Sequence, residues 1–121
     1  MEVILDTNGL MIPVQFKVDI FEELRSLGYD TFIVPTAVMT ELDLLIKNFR
    51  GVKKIAANVA RTLARRCDIV NKDGVTDDVI LELAIETNAA VLTNDVELKN
   101  RLCENNIKVI YLRKKNRLAI I

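Results

Sequence analysis

Met1-Glu2-Val3-Ile4-Leu5-Asp6-Thr7-Asn8-Gly9 opens the chain with a short apolar run closed by an acid and turn-forming residues. The run Val3–Leu5 does not alternate with polar residues, which is the pattern of a strand covered on both faces. The same pattern returns at Thr31-Phe32-Ile33-Val34, which ends at Pro35. It returns again at Ala89–Thr93, closed by Asn94-Asp95, at Lys108–Leu112, and in shorter form at Asp68-Ile69-Val70 before an Asp73-Gly74 turn.

The segments between these runs have helical period. A mixed stretch broken by Pro13 leads to an amphipathic helix ending at about Leu27, with Gly28 as its stop. Thr36–Phe49 places Val38, Leu42, Leu45, Ile46 and Phe49 on one stripe. Val52–Arg66 is expected to turn Val52, Ile55, Ala56, Val59, Ala60 and Leu63 inward. Asp77–Thr87 and Asp95–Glu104 complete the set, the latter with Asn94 as N-cap and Glu97 forming a capping-box-like pair. The tail Arg113–Ile121 begins basic and ends apolar. Buried strands joined by helices predict an α/β fold with a parallel sheet of about five strands, covered on both faces.

The chain has 121 residues, half of them hydrophobic. That length suits one domain, residues 1–121, whose core needs no disulfide or metal to hold it. No apolar run approaches the ~18–20 residues that span a bilayer. No basic leader precedes the first strand, so a cytoplasmic protein without a membrane partner is expected. There are no histidines. Ser-His-Asp and Cys-His catalysis and histidine zinc sites are therefore excluded. Cys67 and Cys103 are too few for a cysteine-only zinc site, and both read as small core residues. Any chemistry must rest on carboxylates, hydroxyls, amides and Lys or Arg.

Sites in parallel sheets form at the carboxyl ends of the strands. Here Asp6 ends the first strand, and Glu41 lies early in the helix after the second. Asp77 and Asp78 follow the third, and Thr93-Asn94-Asp95 ends the fourth. Helix phase sets Glu41 on the flank of the buried stripe and places Asp77, not Asp78, on the face of Leu81 and Ala84. Carboxylates gathered in one crevice repel unless a hard divalent cation, Mg²⁺ or Mn²⁺, offsets their charge. Such an ion activates water and neutralises charge in phosphodiester hydrolysis. Acids at strand ends are also common helix caps, and Asp6, Asp77 and Asp95 each stand where a cap would.

These residues carry a family resemblance. Val3-Ile4-Leu5-Asp6-Thr7-Asn8, Val34-Pro35-Thr36-Ala37-Val38-Met39-Thr40-Glu41-Leu42, Thr76-Asp77-Asp78-Val79-Ile80-Leu81-Glu82-Leu83-Ala84 and Val91-Leu92-Thr93-Asn94-Asp95 resemble, in order and spacing, the motifs of PIN domains across nearly the whole chain. The resemblance implies a three-layer α-β-α domain and metal-dependent ribonuclease activity. Asp6, Glu41, Asp77 and Asp95 would form the acidic quartet, with Asp78 as a rival to Asp77. Thr93 or Asn94 would assist near the metal, and Asn8 would order the first loop. The chain is similar both to VapC toxin nucleases, which implies an antitoxin and a homodimer, and to small PIN nucleases of rRNA processing. Rival readings are a binding module with a residual acidic pocket, and a phosphoacceptor domain. The latter fits poorly, since the third strand comes after three helices.

The 17 basic and 17 acidic residues cancel, but not evenly along the chain. Met1–Ile46 has eight acids against two bases, and Cys67–Asn100 the same, so each block carries −6. Lys47–Arg66 has seven bases and no acid. Arg101–Ile121 has six bases and one acid. Lys54, Arg61 and Arg65 recur at helical spacing, and Lys47, Arg50 and Lys53 extend the patch, a surface suited to an RNA backbone. Arg113, Lys114, Lys115 and Arg117 form a second basic cluster that could instead guard an edge strand. Aromatic residues are few and lie mostly in apolar runs, so base stacking is not expected. The stretch Leu10–Val18 and the helix Ile20–Leu27 are expected in the core, the alternative being a patch for a second copy or an antitoxin.

Overall fold

A computed structural model describes all residues 1–121. Its elements run β1 (Glu2–Leu5), α1 (Thr7–Phe16), α2 (Ile20–Ser26), β2 (Thr31–Pro35), α3 (Thr36–Asn48) and α4 (Val52–Ala64). Then come β3 (Asp68–Val70), α5 (Thr76–Thr87), β4 (Ala90–Leu92), α6 (Val96–Glu104), β5 (Val109–Arg113) and β6 (Arg117–Ile120). One sheet holds all six strands in the order β3-β2-β1-β4-β5-β6. The first five are parallel, and β6 runs antiparallel to β5. Val3, Ile4, Leu5, Val91 and Leu92 are fully buried, so both faces of the central strands are covered. Right-handed crossovers place α1–α4 on one face and α5 and α6 on the other, which agrees with the packing of α4 on α1 and α3 and of α5 on α6.

The strand order reverses between β1 and β4, and this switch point opens a crevice at their carboxyl ends. Register fixes it: Leu5 pairs with Leu92, so Asp6 and Thr93 leave the sheet side by side. Gly9 lets the first loop fit there. A Cβ at Gly9 would lie 2.8 Å from the Leu92 carbonyl oxygen and 2.9 Å from Asp6 Oδ1.

The structure revises four details of the sequence reading. The stretch around Pro13 is a helix, with Pro13 inside it. Burial of Leu10, Met11 and Ile12 against the sheet outweighs the weak local propensity of Asn8, Gly9 and Pro13. Together with Val18, Ile20, Phe21 and Leu24, these residues make that face core. The basic tail is a hairpin whose turn places Lys114 and Lys115 at φ 54° and 61°, a conformation without the usual Gly or Asn signal. On α4 the inward stripe is Ala56, Ala57, Ala60 and Ala64, which lets the helix approach α1 and α3 closely, while Val52 and Ile55 are exposed. Cys103 is exposed and Cys67 half-buried, where burial pushes its thiol up to about 11.

Gly9→Ala forces a backbone oxygen and a capping carboxylate apart. It should lower stability by about 1–3 kcal/mol in urea denaturation, the usual cost of overpacking; an unchanged midpoint would show that the close approach is not required.

Candidate functional site

Four connections deliver acids to a cleft of about 310 Å³ at the switch point. Asp6, Thr7, Asn8, Glu41, Thr76, Asp77 and Asp95 line it, with Met11, Gln15, Leu45, Phe49 and Lys53 on the side of α1, α3 and α4. Each acid is placed by identifiable local structure. Asp6 is the N-cap of α1, its Oδ1 accepting from the Gly9 N–H at 2.6 Å. Asp95, and not Asn94, is the N-cap of α6, accepting from the N–H groups of Glu97 and Leu98 at 2.9 and 3.1 Å. Asp77 lies in the first turn of α5 and caps nothing; that helix has no side-chain cap. Glu41 projects from the second turn of α3, half-buried.

A polar lattice behind these acids holds the loops together. Asn8 Oδ1 accepts from the Asn94 N–H, and Asn94 Oδ1 accepts from the Leu112 N–H, joining the β1 loop, the β4 loop and β5. Thr93 is fully buried, and its hydroxyl accepts from the Asp95 N–H and also bonds Asp6. Thr36 does the same for the other wall: its hydroxyl donates to Asp73 and accepts from the Lys72 N–H, while Ala37 N–H bonds the Lys72 carbonyl. That clamp fixes α3, bearing Glu41, beside the loop that leads to Asp77.

Asp78 stands apart. It lies outside the cleft lining, and its Oδ1 accepts from Arg101 Nη2 at 2.8 Å. Of the basic residues, only Lys53 reaches the cleft. Lys47, Arg50, Lys54 and Arg65 are exposed on the outer surface of the α3–α4 unit, whereas Arg61 is paired with Asp43 of α3. The basic block thus has a counter-charge from the preceding helix. Sequence reasoning missed Thr7, Met11, Gln15, Leu45, Phe49 and Thr76 as cleft residues. Most of them lie on α1, whose helical period Pro13 obscured, or at the end of α3, where phase alone does not show what the last turn faces.

Electrostatics in the cleft is strained. Burial raises the Asp6 carboxyl to about 7, against hydrogen bonds from Thr93 and Gly9 that lower it, and the charges of Asp77 and Asp95 add to the rise. Asp77 is also raised, first by burial and then by Asp95 and Glu41, with Arg101 opposing. Thr7 Oγ1 is buried without any hydrogen-bond partner, the one such side-chain atom in the molecule. An all-oxygen donor set, mutual repulsion among acids and an orphaned hydroxyl at the same cleft suit a hard divalent cation. As the side chains stand, no three acids converge closely enough to hold one ion. Asp6 and Asp95 are held by their cap hydrogen bonds, whereas Glu41 and Asp77 cap nothing.

Residues 3–115 match the PIN like domain family. The chain belongs to the PIN-like family. This PIN-like protein is 32% identical over 117 residues to Ribonuclease VapC9 of Archaeoglobus fulgidus, covering 97% of this chain and 87% of the relative. It is 31% identical over 125 residues to Ribonuclease VapC4 of Methanocaldococcus jannaschii, covering 98% and 95%. Among solved structures, the PIN domain endonuclease Utp24 superposes with a TM-score of 0.79 at 26% identity, over 98% of this chain and 90% of that one. No helix is long and apolar enough to cross a membrane.

The raised Asp6 carboxyl has a consequence for stability. Its folded pKa lies above the unfolded value, so between about pH 4 and pH 7 the folded state holds a proton that the unfolded chain has released. In metal-free solution this group therefore makes stability fall as pH rises through that window. Asp6→Asn keeps an oxygen for the Gly9 cap and removes the buried charge. The variant should be more stable than the parent by on the order of 4 kcal/mol at about pH 8 and little different at about pH 4. Urea midpoints at the two pH values check this; a gap independent of pH would contradict it.

Proposed function

We propose that this PIN-like protein is a Mg²⁺- or Mn²⁺-dependent endoribonuclease. The observation that carries the reading is that Asp6, Glu41, Asp77 and Asp95 all line one cleft at the switch point of the sheet. The metal, when bound, lowers the pKa of a coordinated water and offsets charge on the scissile phosphate. Asp6, Glu41, Asp77 and Asp95 would hold the metal, Asp6 and Asp95 being fixed by their helix caps. Glu41 also orients the attacking water and takes its proton on a carboxylate oxygen. The Thr7 hydroxyl donates to the water or to a phosphate oxygen. Thr93, Asn94 and Asn8 act by holding the loops in place. Lys47, Arg50, Lys53, Lys54 and Arg65 draw the RNA backbone toward the α3–α4 side, with Arg61 contributing less because Asp43 neutralises it.

The toxin of a toxin–antitoxin pair is the role we favour, with an antitoxin protein and a second copy of the chain as partners. It is supported by similarity to two VapC ribonucleases over 87% and 95% of their lengths. The likeness to Utp24 favours a second reading, an rRNA-processing nuclease. Sequencing the RNA ends that appear when the chain is induced in cells separates the two: cuts confined to rRNA precursors would favour processing.

Asp77→Asn should reduce cleavage of single-stranded RNA in Mn²⁺ by on the order of 100-fold or more while leaving the thermal midpoint near that of the parent. Asp78→Asn should stay within a few-fold of the parent, since Asp78 serves Arg101. Equal losses in the two variants, or full activity of Asp77→Asn, would overturn the assignment.

A further inference from the structure

The cleft that gathers the acids has a second wall of opposite character, made by Met11, Leu45 and Phe49, with Lys53 at its edge. Phe49 ends α3. Its backbone has already left the helix (φ −104°, ψ 163°), while its N–H still bonds the Leu45 carbonyl. This exit turns the ring outward, and Phe49 is 38% exposed, whereas Phe21 and Phe32 are 2% and 8% exposed. Across the Gly51 corner, Lys53 in the first turn of α4 holds its ammonium 5.2 Å from the Phe49 ring centroid. A ring 38% exposed, with a lysine ammonium over one of its faces, thus shares one cleft with the four acids.

We infer that Phe49 is the platform on which the base next to the scissile phosphate stacks, with Lys53 holding the adjoining backbone. The inference rests on the ribonuclease reading and names how that site takes its substrate. Every nucleobase has a π-face, so an exposed ring beside a cation accepts an unpaired base of any identity. No other aromatic residue borders the cleft. Stacking of this kind carries weak base preference. The sequence hid this because Phe49 falls in phase with the apolar stripe of α3.

The chain has no tryptophan, so Phe49→Trp introduces a single indole at the proposed contact, excited at wavelengths where Tyr29 and Tyr111 do not absorb. Titrating it in Mn²⁺ with short oligouridylate, in an Asp77→Asn background that suppresses cleavage, should quench its emission, because the base covers the indole. In the same background, Phe49→Ala should bind the same oligomer about tenfold more weakly than the parent, within the range of one aromatic–base stack. An abasic strand of equal length should bind the parent and Phe49→Ala alike, since only backbone contacts remain. If the parent binds oligouridylate but Phe49→Ala binds equally well and Phe49→Trp is not quenched, the stacking inference fails and the nuclease reading stands. If the parent neither binds nor cuts RNA, the nuclease reading fails and takes this inference with it.

Discussion

Asp6 ties three elements together at the point where the sheet changes direction. Its N–H bonds the Leu92 carbonyl of β4, its own carbonyl accepts from Leu10, and its carboxylate caps α1 through Gly9. The contact is tight enough that no side chain fits at Gly9. The first strand, the first helix and the fourth strand thus share one residue, and that residue is a carboxylate buried beside two others. Burial and repulsion push its proton affinity far from that of a solvated acid. Such a buried acid beside two others is the electrostatic setting that the proposed divalent cation would relieve.

The other acids are held with different stiffness. Asp95 is a cap like Asp6, fixed by two amides and braced by Thr93. Glu41 and Asp77 project from helical turns with no such restraint, but their helices are joined through Thr36, Asp73 and Lys72. One side of the cleft is therefore tied into helix caps, and the opposite side is not. Asp6 and Asp95 cap the helices that follow their strands because helix N-termini leave N–H groups unpaired, and both residues also line the cleft.

Much of this was legible in the sequence, for definite reasons. Strands buried on both faces are apolar without alternation, so Val3–Leu5, Phe32–Val34 and Ala90–Leu92 declare themselves. Acids at strand ends follow from the geometry of parallel sheets, and helix phase separates Asp77 from Asp78 because adjacent residues point about 100° apart. What stayed hidden depends on tertiary contact. The helix around Pro13 exists because its apolar side is buried. The hairpin to β6 turns through two lysines that no turn rule selects. Val52 and Ile55 face outward because a stripe of alanines packs closer, and Asp43 meets Arg61 only once α3 and α4 fold together. Phe49 reads as core until its backbone is seen to leave the helix.

The chemical nature of the cut RNA ends tests the account most directly. Hydrolysis by an activated water leaves a 3′-hydroxyl and a 5′-phosphate, and it stops when divalent cations are chelated. The acidic cleft predicts both results for the purified protein acting on single-stranded RNA. Ends bearing a 2′,3′-cyclic phosphate and a 5′-hydroxyl, formed equally well in EDTA, would mean that the ribose hydroxyl and not water is the nucleophile, and would contradict the role given to Asp6, Glu41, Asp77 and Asp95.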